Sequence, residues 1–268
     1  LVPRYTWALR GSNRGNSTFE LYRMKADGSG VQRVLPDRGE SGEMSWSPDG
    51  SKVLFTAARG GKQLGVYVTN LVDGKTQLLT DDANASNSPV WSPDGSTIAF
   101  VSSRDRSRRI YLMDADGQHQ RRLTASNTDD EISPQFSPDG RQVAYVASNA
   151  TTLAPRVAVA DLRSGQSRLI SQYDKRAIEA EPRWSPDGSQ LLFLLIEGQT
   201  THVIAMAPDG SGRKRMTPAD NARNTQPQWS PDGRHILYQS ISTETGRLSL
   251  HLMKADGSQP RKVYGSAN

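Results

Sequence analysis

One five-residue phrase occurs five times in this chain, and its period constrains the fold more than any other feature. It reads WSPDG from Trp46, WSPDG from Trp91, FSPDG from Phe136, WSPDG from Trp184 and WSPDG from Trp229. Successive copies start 45, 45, 48 and 45 residues apart. A fixed period of about 40–50 residues marks a repeat architecture, in which one unit cannot bury its faces alone and stacks against its neighbours.

Each repeat carries the same alternation of apolar runs and turns. After SPDG come KVLFTA from Lys52, TIAFVS from Thr97, QVAYVA from Gln142, QLLFLL from Gln190 and HILYQS from His235. A second set follows: LGVYVTN from Leu64, RIYLMDA from Arg109, RVAVADL from Arg156, HVIAMAP from His202 and LSLHLMKA from Leu248. Asp-Gly turns such as Asp116-Gly117, Asp209-Gly210 and Asp256-Gly257 lead to a third run, and a short piece before each aromatic supplies a fourth. Short β-branched and aromatic runs between Asp-Gly turns predict antiparallel strands. Four-stranded units stacked radially make a β-propeller.

The five phrases and a partial unit over residues 5–36 predict an all-β, six-bladed β-propeller of four-stranded antiparallel blades, one domain over residues 1–268. The first unit has no phrase of its own, so the first blade is expected to lack its closing strand and to keep an open inner edge. That edge allows a dimer as well as a monomer. In SPDG, Pro presets the turn, Asp accepts N–H groups two residues on, and Gly supplies a positive φ. The aromatic before it is read as core.

Five W/FSPDG phrases at blade-length spacing resemble the TolB-type propeller repeat, from about Tyr5 to Tyr264, with the first unit starting at its second strand. The resemblance implies a bacterial periplasmic or envelope setting and a non-enzymatic scaffold that engages a protein or peptide partner. Similar repeats occur in the gating propellers of prolyl-oligopeptidase-type peptidases and in pectin-degrading lyases. The alternatives are therefore a carbohydrate-active, lyase-like propeller enzyme and the regulatory propeller of a larger peptidase.

Composition narrows the chemistry. There is no Cys, which excludes disulfides, thiol catalysis and Cys-based metal sites. The sequence has no apolar run long enough for a membrane span, and its opening residues, LVPRYTWALR, lack the apolar stretch of a signal peptide. The net charge of +5, from 33 basic and 28 acidic residues, is spread along the chain apart from RDRSRR at 104–109. That pattern reads as a solvated basic surface, and no nucleic-acid partner is expected. No G-x-S-x-G elbow or H-E-x-x-H spacing is present, and His119, His202, His235 and His251 share no ligand spacing. No catalytic or metal-binding residue is assigned, and no cofactor is expected, although calcium in the channel is compatible with the acids below.

Hairpin order puts both tight turns of each blade at one end and the long connections at the other, where recognition has room. The blade-to-blade loops there carry eleven acids, among them Asp37, Asp81, Asp82, Asp129, Asp130, Glu131, Asp174, Glu179, Glu181 and Asp220, against four bases. The expectation is an acidic channel mouth suited to a cationic segment. A second set, Glu43, Ser88, Ser133, Glu181 and Gln226, holds one equivalent position three residues before each aromatic and is polar in all five copies. The candidate partner-binding residues are thus Glu43, Ser88, Asp129, Asp130, Glu131, Ser133, Glu179, Glu181 and Gln226.

Overall fold

The structure, a computed structural model, describes residues 7–10, 19–23, 29–33, 40–58, 63–81, 83–125, 130–148, 154–171, 177–218 and 220–265. Among them the regular secondary structure is all strand. The chain divides into two compact units, Leu1–Leu123 and Thr124–Asn268.

The first unit holds three sheets. The first is β1 (Trp7–Arg10), β2 (Phe19–Arg23) and β3 (Gln32–Arg33), three strands among the described residues. The second is β4 (Glu40–Trp46), β5 (Lys52–Ala58), β6 (Gly65–Asn70) and β7 (Thr76–Leu78). The third is β8 (Ser86–Trp91), β9 (Thr97–Ser102), β10 (Arg109–Asp114) and β11 (Arg121–Arg122).

The second unit repeats the plan three times. Its sheets are β12 (Asp130–Phe136), β13 (Gln142–Ser148), β14 (Arg156–Asp161) and β15 (Ser167–Leu169); then β16 (Ile178–Trp184), β17 (Leu191–Glu197), β18 (Thr200–Met206) and β19 (Lys214–Arg215); then β20 (Ala222–Trp229), β21 (His235–Ser242), β22 (Leu248–Lys254) and β23 (Arg261–Tyr264). All pairing within a sheet is antiparallel, and one parallel pair, Thr201 with Arg223, links β18 to β20.

The SPDG turns form by one local mechanism. Gly50, Gly95, Gly140, Gly188 and Gly233 have φ of 70°, 72°, 70°, 73° and 69°. Each Asp carboxylate accepts the N–H two residues on, as Asp94 does from Ser96 at 3.0 Å. The Ser has a job that turn chemistry alone did not assign. Ser92 donates its hydroxyl to Asp94 at 2.6 Å and accepts the N–H of Thr97 at 2.9 Å. Ser47, Ser137, Ser185 and Ser230 do the same. These bonds hold Asp49 down at about 2 and lower the pKa of Asp94, Asp139, Asp187 and Asp232, the Ser hydroxyl being the largest cause in each.

Both tight turns of a sheet do lie at the same end. In four sheets the residue after the third strand donates to the residue after SPDG: Leu71 to Ser51, Ala115 to Ser96, Leu162 to Arg141 and Ala255 to Arg234, at 2.8–3.0 Å. Successive SPDG turns also stack, since a Cβ on Gly95 would sit 3.5 Å from Pro48, and one on Gly188 3.6 Å from Pro138. The second turn is tighter still. A Cβ on Gly210 would lie 2.5 Å from the carbonyl oxygen of Ile170, at φ +92°. Gly210→Ala is therefore expected to destabilise by more than ~1 kcal/mol, checked by urea unfolding.

The cores lie between sheets. Leu54, Val66 and Val68 of the second sheet pack with Trp91, Ile98, Phe100, Tyr111 and Met113 of the third. In the second unit Ala144, Val157 and Val159 meet Leu191, Phe193, Ile204 and Met206, and Leu192, Leu194 and Val203 meet Ile236, Tyr238 and Met253. The position eight residues after each aromatic shows what a following sheet does. Leu54, Ala144 and Leu192, each packed against the next sheet of its own unit, are 0% exposed there, whereas Leu237 of the sixth sheet, the last of the second unit, is 38% exposed. Leu192→Ala should cost about 2–5 kcal/mol and Leu237→Ala clearly less, as read from the two melting curves.

Candidate functional site

Two repeated positions on the inner strands carry the candidate residues, and the structure uses them differently. The first lies five residues before the aromatic and holds Ser86, Glu131, Glu179 and Asn224, with exposures of 0%, 0%, 1% and 1%. All four side chains are buried, and those of Glu179 and Asn224 reach the preceding sheet. Glu179 Oε2 accepts the N–H of Val157 at 3.0 Å, and its Oε1 accepts Arg213 Nη1 at 2.9 Å. The Glu179 N–H donates to the carbonyl of Pro155 at 3.0 Å. Asn224 Nδ2 donates to the carbonyl of Thr201 at 3.1 Å. The Thr124 hydroxyl donates to the Glu131 carboxylate.

The reason is an N–H left over near the start of each third strand. Val66 and Val203 give theirs to the hydroxyls of Thr80 and Thr217, at 3.0 and 3.1 Å. In the fourth sheet the chain has Ser171 at the corresponding place, and the amide of Val157 goes to Glu179 instead. A buried amide without an acceptor would cost about 1–3 kcal/mol. Glu179 is therefore placed inside the joint between the fourth and fifth sheets, and Glu131 is likewise buried, rather than on an open acidic surface. The signal for this was the register of positions 86, 131, 179 and 224, polar at each repeat.

The second position lies three residues before the aromatic. Ser88, Ser133, Glu181 and Gln226 have φ of 52°, 56°, 52° and 51°. Each sits in a β-bulge, where the register shifts between Asn87 and Val90, Ile132 and Gln135, Ala180 and Arg183, and Thr225 and Gln228. Each is followed by a buried proline: Pro89, Pro134, Pro182 and Pro227. A left-handed backbone costs a non-glycine residue roughly 1–2 kcal/mol, and a following Pro further favours extended backbone. The same departure at four equivalent places is a built feature, since bulges re-aim side chains at functional edges. Ser88, Ser133 and Glu181 are half-buried and Gln226 is exposed. Gln226 Oε1 accepts Gln239 Nε2 at 2.7 Å. In the second unit β12 lies beside β16 and β16 beside β20, which places Ser133, Glu181 and Gln226 on neighbouring strands.

The remaining candidates divide. Asp130 is half-buried, and Asp81 and Asp220 are exposed. Asp129, Asp37, Asp82 and Asp174 lie outside the described residues, as does the side chain of Glu43, whose backbone belongs to the same kind of bulge in β4, between Ser41 and Met44. Among the described residues no group of three or more His, Asp or Glu side chains is gathered to hold a metal ion, and no helix is long and apolar enough to cross a membrane.

A family model described as the TolB beta propeller domain matches residues 6–131 and 106–268. No curated protein matches the chain. Among solved structures, TolB from Acinetobacter baumannii is 21% identical with a TM-score of 0.75, over 98% of this chain and 63% of that one. The chain thus spans less than two thirds of that TolB. An oligogalacturonate lyase in complex with manganese is 15% identical with a TM-score of 0.73, over 98% and 73% of the two chains. A prolyl endopeptidase is 12% identical with a TM-score of 0.73, over 96% of this chain and 40% of the other. At these identities the structures speak to fold, and the phrase repeat, the antiparallel four-stranded sheets and the family match agree: the chain belongs to the TolB β-propeller domain family.

Proposed function

We propose that this chain is a non-enzymatic binding scaffold that holds a polypeptide partner at the bulged inner strands β12, β16 and β20 of its second unit. The observation that carries this reading is the set of four left-handed residues, Ser88, Ser133, Glu181 and Gln226, each strained at the same repeat position. Strain recurring at a surface of polar side chains is spent on presentation, because packing needs none of it. The partner is cationic. The charged member of the described set is Glu181, and the exposed Asp220 leads into β20, within which Arg223 is the basic exception. The buried Glu131 and Glu179 take no direct part in this contact. The family resemblance adds a bacterial periplasmic or envelope setting.

Short lysine-rich, neutral and glutamate-rich peptides, titrated by fluorescence anisotropy, test the reading. The lysine-rich peptide is expected to bind best, and Ser133→Arg with Glu181→Arg and Gln226→Arg should weaken it about tenfold or more. Asp256→Ala, in a tight turn at the opposite end of its sheet, should leave binding unchanged. Equal binding by the triple variant would overturn the site. Cleavage of oligogalacturonate by the protein with manganese would favour a lyase instead.

A further inference from the structure

The joints between sheets are chemically unequal, and one of them contains a buried histidine whose Nδ1 has no hydrogen-bond partner among the described residues. The residue at the start of each third strand is equivalent across repeats: Gly65, Arg109, Arg156, His202 and Ser249, paired with Ala57, Ser102, Ala147, Leu195 and Ser240. Between the fourth and fifth sheets the joint is built from Arg156 and Glu179. Arg156 is 2% exposed, and its Nη1 donates to the carbonyls of Ala177 at 2.6 Å and Pro155 at 3.0 Å. An arginine keeps its charge at every working pH.

Between the fifth and sixth sheets the same two places hold His202 and Asn224, both uncharged at neutral pH. His202 is 2% exposed, and its Nδ1 is buried without a hydrogen-bond partner among the described residues. Its neighbours in the strand make the joint: Thr201 pairs with Arg223 and accepts Asn224 Nδ2. No carboxylate occupies the Glu179 position here to compensate a positive ring.

We propose that the joint between the fifth and sixth sheets is an acid-sensitive release point, where protonation of buried His202 loosens β20–β22 from β18 while the Arg156–Glu179 joint stays shut. The charges facing His202 are Arg215 on β19, Glu197 at the end of β17 and Asp220 before β20. Burial is the largest influence and Arg215 the next, both holding the imidazole below its ordinary value, while Glu197 and Asp220 act the other way. The unfolded or opened chain therefore takes up the proton first, below about pH 6.5, so the closed joint loses stability as pH falls. The opening constant rises by up to about tenfold per pH unit in that window. His251, also held low by burial, stands on β22 of the same sheet and adds its own contribution in the same direction.

Amide exchange, corrected for intrinsic rates, at about pH 7.5 and about pH 5.5 tests this. Opening of β20–β22 is expected to rise about tenfold or more at the lower pH, with β12–β14 unchanged. His202→Gln should reduce the rise, and His202→Gln combined with His251→Gln should abolish it. An equal rise in His202→Gln, or none in the unaltered protein, would overturn the proposal. Should His202→Gln fail to fold, proton NMR of the unaltered protein decides: a His202 ring titrating clearly below 6.5 supports the release point, and one titrating at or above 6.5 overturns it.

Discussion

Replacing Trp91 by Ala is expected to lower the unfolding free energy by about 3–5 kcal/mol, measured by urea denaturation. The ring is 8% exposed and packs among Leu54, Val66, Ile98, Phe100 and Met113, so its removal opens a cavity between the second and third sheets. It stands directly before the SPDG turn, where the Ser92, Asp94 and Thr97 bonds fix the strand that presents it. The turn cannot compensate for the lost contact, because its hydrogen bonds are local while the cavity lies between sheets. Trp91→Phe should recover about half of the loss, since most of the apolar area returns. An unchanged midpoint in Trp91→Ala would show that the aromatic row is not core.

Glu179→Ala is expected to cost about 2–4 kcal/mol, an unusual penalty for removing an acid from a loop-proximal position. The change strands the amide of Val157 and removes the acceptor of Arg213, which also lies over the Phe193 ring at 5.2 Å. Glu179→Gln keeps an acceptor for Val157 and should recover more than half of the loss. The melting curves distinguish this from a binding role, in which Glu179→Ala would melt normally and bind less. Glu131→Ala should behave alike, because that carboxylate is 0% exposed and accepts the Thr124 hydroxyl.

Much of the fold was legible in the sequence. Five phrases spaced 45–48 residues apart set the repeat, and Asp-Gly turns between apolar runs set the order of strands. The first sheet, three-stranded among the described residues, accords with the missing phrase, and the shared end of the two turns follows from strand order. Less of the site was legible. Glu131 and Glu179 read as acids of an open mouth because they lie beside the blade-to-blade loops. Whether a carboxylate faces solvent or a neighbouring sheet depends on an orphan amide contributed by a strand about 22 residues away, as Val157 is from Glu179. Nothing local marks that partner.

Ser88, Ser133, Glu181 and Gln226 show the same division from the other side. Their equivalence and polarity are plain in the sequence, but their left-handed backbone is not, since a residue before Pro is ordinarily extended. Periodicity settles which residues are equivalent, because every repeat obeys the same covalent and turn chemistry. Burial, bulges and the choice between Arg156 and His202 at a joint arise only when neighbouring sheets meet, where a side chain answers to groups its own repeat does not contain.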